Sequence, residues 1–119
     1  MPEELTIRED LQVIQVKSRG DITTEDFKKS LDAILRIRQD QGLTKVFVDA
    51  TEVTSYPSTT SIFIFGSEAA EPLSGIKLAI ASPPGIGDAP VFFETVTRNR
   101  GAVVRAFDSP DAALAWLTK

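Results

Sequence analysis

Three apolar residues in succession, Val46, Phe47 and Val48, sit between Lys45 and Asp49. Neighbouring side chains of a strand point to opposite faces, so an unbroken apolar run is what a strand carries when both of its faces are covered. This places Lys45 to Asp49 inside a sheet with other elements packed above and below it. Asp49 ends the run. The Thr-, Ser- and Pro-rich residues that follow, as far as Thr60, are expected to turn and not to pack as core. Ser58 or Thr59 is the natural N-cap for a helix beginning near Ser58, its hydroxyl accepting a free backbone N–H of the first turn.

The next segment, Ile62, Phe63, Ile64 and Phe65, consists of four strand-formers. Helix is preferred because Thr59, Ile62, Phe63, Gly66, Ala69 and Ala70 share one face at helical spacing, with small residues where a helix must lie close to a sheet. On this phase Ile64 and Phe65 point away from the sheet.

The remaining chain alternates strand and helix. Leu5 to Arg8 and Leu11 to Ser18 read as an antiparallel pair joined at Glu9 and Asp10. In the second of them Leu11 and Val13 take one side and Ile14 and Val16 the other, which requires a bulge or cover on both faces. Arg19, Gly20 and Asp21 are expected to turn. Thr23 or Thr24 caps a helix with Glu25 and Asp26 in its first turn, an apolar stripe of Phe27, Leu31, Ile34 and Leu35, and a stop at Gly42. Ile76 to Ser82 alternates cleanly as a strand. A Pro- and Gly-rich loop, Pro83 to Asp88, leads to a helix capped by Asp88, with Pro90 in its first turn and a stripe of Phe92, Phe93 and Val96. Ala102 to Phe107 is the last strand, and Ser109-Pro110 opens a closing helix with Leu114, Trp116 and Leu117. The order ββαβαβαβα predicts an α/β domain over residues 1–119. Its sheet would be mixed, largely parallel, of about five strands, packed with four helices.

Two absences narrow the chemistry. The chain has no histidine and no cysteine. Without imidazole or thiol there is no disulfide frame, no zinc site of the usual ligands and no Ser/His or Cys/His nucleophile pair, so neither an enzyme nor a metal or cofactor site is expected. Asp49 and Glu52 read as solvated or capping acids, and Arg98 and Arg100 as complements to a helix carboxyl end. A net charge of −4 argues against nucleic acid and anionic lipid as partners. The start, MPEELTIRED, is acidic and short of apolar residues, and no apolar run nears the roughly 18 residues of a spanning helix. A cytoplasmic protein without membrane insertion is expected.

The element order and the ending from Phe93 to Leu117, FETVTRNRGAVVRAFDSPDAALAWL, resemble the STAS domain and, within it, the SpoIIAA-like branch. The resemblance covers nearly the whole chain and implies a fold more than an activity. Sporulation regulators of this type carry an Asp-Ser-Ser-Gly turn at the start of the second helix, whose second serine a partner kinase phosphorylates. Here that turn falls on Pro57, Ser58, Thr59 and Thr60. Only Ser58 matches, and Thr59 occupies the acceptor position with a hydroxyl.

Three functions follow as candidates. The first is an anti-sigma factor antagonist-like module that recognises a protein partner or its own copy through the second helix and the turn before it. The second, implied by the branch's similarity to CRAL-TRIO lipid carriers, is a carrier or sensor of a small apolar molecule. Its site would use Tyr56, Ile64 and Phe65, with Ile62 or Phe63 as the floor. The third is an anion or nucleotide at the 83–88 loop, where Gly85 and Gly87 precede a helix. That loop lacks the third glycine and the lysine of known phosphate loops, and turn chemistry already accounts for its glycines.

Overall fold

The computed structural model describes residues 2–119. Five strands, β1 (Glu3–Arg8), β2 (Val13–Asp21), β3 (Lys45–Ser55), β4 (Lys77–Ala81) and β5 (Val103–Phe107), form one sheet in the order β1-β2-β3-β4-β5. β1 runs antiparallel to β2, and every other pair is parallel. Four helices alternate with them: α1 (Thr24–Gln41), α2 (Thr59–Ala69), α3 (Ala89–Arg98) and α4 (Pro110–Thr118). The predicted element order and mixed, largely parallel sheet are therefore those observed.

The chain's caps set where the helices begin and end. Thr23 accepts from the Asp26 N–H while the Asp26 carboxylate accepts from the Thr23 N–H, a reciprocal box at the start of α1. Gly42, at φ 72°, stops α1 in the left-handed conformation that costs glycine least. Ser58 and Ser109 cap α2 and α4 as expected. Asp88 stands at the N-cap of α3 but makes no side-chain capping bond. Phe93 and Val96 of the stripe proposed for α3 do pack inward, together with Pro90 and Thr97, whereas Phe92 joins neither apolar cluster.

Two such clusters lie on opposite faces of the sheet. The larger takes Ile14 and Val16 of β2, Val46 and Ala50 of β3, Leu78 and Ile80 of β4 and Val104 of β5 against α1, α2 and α3. The smaller takes Val13, Phe47, Ala79 and Ala81 against Ala113 and Leu117 of α4. The run Val46-Phe47-Val48 is thus covered on both sides, as is the phase change in β2: Leu11 and Val13 belong to one cluster, Ile14 and Val16 to the other.

Strand ends at Glu3, Lys77, Ala81 and Val103 lie one or two residues from expectation, and three differences go further. The link between β1 and β2 spans Glu9 to Gln12 and not two residues, with the Leu11 N–H donating to the Arg8 carbonyl at 3.1 Å and Gln12 at φ 55°. Arg19 to Asp21 do not turn; they continue β2 beside β3, with register shifts between Lys17 and Arg19 and between Gly20 and Asp21. β3 likewise does not stop at Asp49 but runs to Ser55, burying Ala50 and Val53. The physical reason is pairing. Each strand supplies the partner the other needs, and β-branched Thr51, Val53 and Thr54 suit a pleated ribbon.

Candidate functional site

The carboxyl ends of β2, β3 and β4 and the amino ends of the three helices on the larger face converge on one region. Parallel sheets place their ligand crevices there, because the loops splay as the strands end. Two features occupy it: the outer side of α2 and a cavity beneath the same helix.

On the outer side, Ser58 begins α2 by accepting from the Ser61 N–H at 3.2 Å and donating to the Ser61 hydroxyl at 3.0 Å. Thr59 and Thr60 are exposed in the first turn. Phe63 is 45 % and Ile64 53 % exposed. The Arg100 guanidinium lies 5.4 Å from the Phe63 ring centre, within cation–π range. α2, TTSIFIFGSEA, carries Glu68 as its one charged residue. A surface helix ordinarily turns a charged face to water. This one turns hydroxyls and two large apolar side chains.

The inner side corrects the expected phase. Phe65 does not face away: it is 7 % exposed, its ring stacked between Phe27 at 5.3 Å and Phe93 at 5.8 Å. Phe63, expected against the sheet, points outward instead. Ile62, at 2 % exposure, Gly66 and Ala69 do face inward as expected. A Cβ on Gly66 would meet a Val96 methyl at 3.0 Å, so the glycine lets α2 and α3 approach.

Beneath α2 lies a cavity of about 90 Å³ whose walls include Val16, Ile22, Phe27, Ile62, Phe65 and Phe93. Of the five residues assigned to an apolar surface, Tyr56, Ile62 and Phe65 line this cavity, while Phe63 and Ile64 do not and belong to the outer face. The predicted set therefore divides between two sides of one helix.

Polar groups in the cavity wall are few. The Tyr56 hydroxyl lies 3.1 Å from the Ser82 hydroxyl; burial pushes the phenol up from its ordinary value, outweighing that hydrogen bond, and the Glu3 charge adds to the rise. Glu3 reaches in from the edge strand. One carboxylate oxygen accepts from the Ser30 hydroxyl of α1 at 2.6 Å and the other from the Ser18 hydroxyl of β2. Burial pushes the Glu3 carboxyl up, and the two serine hydrogen bonds offset only part of that rise. Sequence reasoning missed Glu3, Ser18 and Ser30. A signal was present: Glu3, Leu5 and Ile7 alternate on one face of β1, so the glutamate occupies an inward position of a strand whose other inward residues are apolar.

The remaining candidates fall elsewhere. Asp49 and Glu52 both pair with the Lys17 ammonium, at 3.0 and 2.7 Å. Burial raises the Asp49 pKa, but hydrogen bonds from Thr51 and Lys17 bring it below the ordinary aspartate value. Arg98 pairs with Glu94 at 3.1 Å within α3. Gly85 and Gly87, at φ 86° and 110°, border a separate hollow of about 400 Å³ together with Asp108. Neither lysine nor arginine lines that hollow, so it offers an anion no compensating charge. Among the described residues there is no group of three carboxylates placed to hold a metal ion, and no helix long and apolar enough to cross a membrane.

No family model and no curated sequence matches the chain. Solved structures do. An uncharacterized protein of the DUF3478 family from Shewanella loihica PV-4, described as having a SpoIIAA-like fold, superposes with a TM-score of 0.60 at 18% identity, over 97% of this chain and 91% of its own. The anti-sigma factor antagonist SpoIIAA in its unphosphorylated form superposes with a TM-score of 0.60 at 9% identity, over 96% of each chain. The chain has a SpoIIAA-like fold. Thr59 stands exposed at the first position of α2, one residue after the capping Ser58.

Proposed function

We propose that this protein is a non-catalytic regulatory module that recognises a protein partner through the outer face of α2 and the turn before it. The observation that carries the reading is the exposed pair Phe63 and Ile64 on a helix with a single charge. Water gains nothing from two adjacent large apolar side chains, whereas a partner surface that covers them gains roughly 25 cal/mol for each Å² removed from water. Thr59 and Ser58 are the hydroxyls through which such recognition would be switched. A phosphate there would meet the positive end of the α2 dipole and free backbone N–H groups. The fold is that of an anti-sigma factor antagonist, a protein named for its action on another regulator, which agrees with this reading.

The test compares Ile64→Asp with Val103→Asp, a control of similar exposure on β5. Both variants should keep the wild-type circular dichroism spectrum. Proteins retained from a cell extract by the wild type should be lost with Ile64→Asp and kept with Val103→Asp. Sedimentation of the same three proteins tells a second copy of the chain from a different partner. Equal retention by both variants would overturn the proposal.

A second reading rests on a separate observation, the cavity beneath α2. Its walls are almost wholly apolar and it sits at the carboxyl ends of the parallel strands, so a small apolar ligand is the occupant it favours.

A further inference from the structure

We propose that the cavity beneath α2 is a binding site for a small apolar molecule ending in one ammonium group, with the Glu3 carboxylate as its counter-ion. The inference rests on the apolar-ligand reading and names the chemistry of the occupant.

Most of the cavity wall is hydrocarbon, and Phe27, Phe65 and Phe93 supply a continuous aromatic stack along it. Glu3 is the one acidic residue in its lining, and no lysine or arginine stands there. Glu3 belongs to no ion pair among the described residues. A charge in an apolar wall is ordinarily matched by an opposite one, since hydroxyl donors replace only part of the lost hydration. Each Glu3 oxygen accepts one serine hydroxyl, and a carboxylate has about four lone-pair sites, so acceptor capacity remains. The serines also fix the carboxylate from two elements, β2 and α1, so that little side-chain freedom is left to lose when a ligand arrives.

The charge sign selects the ligand. An ammonium head forms a charge-assisted hydrogen bond with the carboxylate, an alcohol forms a neutral-to-charged one, and a carboxylate ligand is repelled. Size limits the body. Engineered apolar cavities of about 150 Å³ take benzene, with six carbons, so a space of about 90 Å³ takes about four non-hydrogen atoms, three carbons and the nitrogen.

Methyl-detected nuclear magnetic resonance titrations with propylammonium chloride, 1-propanol and sodium propionate test this. Propylammonium should shift the methyl groups of Val16, Ile22, Ile62 and Ile80 and bind about tenfold more tightly than 1-propanol, with propionate weakest. Glu3→Gln should abolish the preference for the amine and leave 1-propanol affinity within about twofold. Glu3→Asp, which withdraws the charge by one methylene but keeps it, should reduce the preference and serves where the glutamine variant fails to fold. Equal affinity for amine and alcohol, or a preference that survives Glu3→Gln, would overturn the counter-ion assignment while leaving the apolar-ligand reading in place. If none of the three probes moves those methyl groups, both fall.

Discussion

Phe65 and Ile64 are adjacent in sequence, and the structure predicts opposite consequences for trimming them. Phe65→Ala removes a ring that is 93 % buried and stacked on two others. Withdrawing the buried ring from an apolar site costs about 2 to 3 kcal/mol in transfer free energy. A ring of roughly 80 Å³ leaves a hole that adds about 2 kcal/mol at about 24 cal/mol per Å³, because α2 is pinned to α3 at Gly66 and cannot collapse into it. The sum, about 4 to 5 kcal/mol, falls within the range of about 3 to 5 kcal/mol for such substitutions and is a large share of the roughly 5 to 15 kcal/mol that holds a domain folded. Ile64→Ala trims a side chain that is half in water, with an expected cost within about 0.5 kcal/mol. Urea unfolding followed by circular dichroism reads the difference. With a slope of about 2 kcal/mol per molar, Phe65→Ala should lower the midpoint by about 2 M and Ile64→Ala by less than about 0.3 M. Midpoints that fall together, or a larger loss at position 64, would show that the faces of α2 are assigned the wrong way round.

Three further outcomes follow. Gly66→Ala gains helix propensity of up to about 1 kcal/mol, but its methyl meets the buried, χ1-restricted Val96, so a net loss of about 1 kcal/mol is expected in the same unfolding assay. Ser58→Ala removes the N-cap of α2 and should cost about 1 kcal/mol, while Thr59→Asp at the following position should be neutral or stabilising by up to about 0.5 kcal/mol. For Glu3 the sign is that of a carboxyl with a raised folded-state pKa. The folded protein binds its proton more tightly than the unfolded chain, so this group's contribution is most favourable below the ordinary value of 4.5 and declines as pH rises through the folded pKa. Compared with wild type, Glu3→Gln should therefore gain relative stability from pH 4 to pH 7. A difference that stays constant with pH would contradict the placement of Glu3.

Local chemistry carried most of the fold. The capping Thr23, Ser58 and Ser109, the stop at Gly42 and the alternation within Ile76 to Ser82 each depend on residues a few positions apart, and each was readable from the chain. Features that depend on a distant partner were not. Thr51 to Ser55 extend β3 because Arg19 to Asp21 lie beside them, a pairing that local composition does not encode. The phase of α2 fails for a similar reason. At about 100° per residue, Phe63 and Phe65 stand about 75° and about 85° either side of the stripe formed by Ile62, Gly66, Ala69 and Ala70, so helical spacing hardly distinguishes them. Phe27 of α1 and Phe93 of α3 break the tie by stacking on Phe65. Of the apolar residues singled out between Tyr56 and Phe65, Tyr56, Ile62 and Phe65 line a cavity and Phe63 and Ile64 lie on an outer surface, where one patch was expected. Glu3 went unnoticed because its role exists only when β1, β2 and α1 come together around it.

Recognition by the outer face of α2 is tested most directly by placing a photo-crosslinking amino acid at position 64 and, separately, at position 103, and irradiating cells that express each protein. A discrete adduct is expected from position 64, with a mass that identifies either a second copy or another protein, and none of that mass from position 103. No adduct at 64, or the same adduct from both positions, would contradict it.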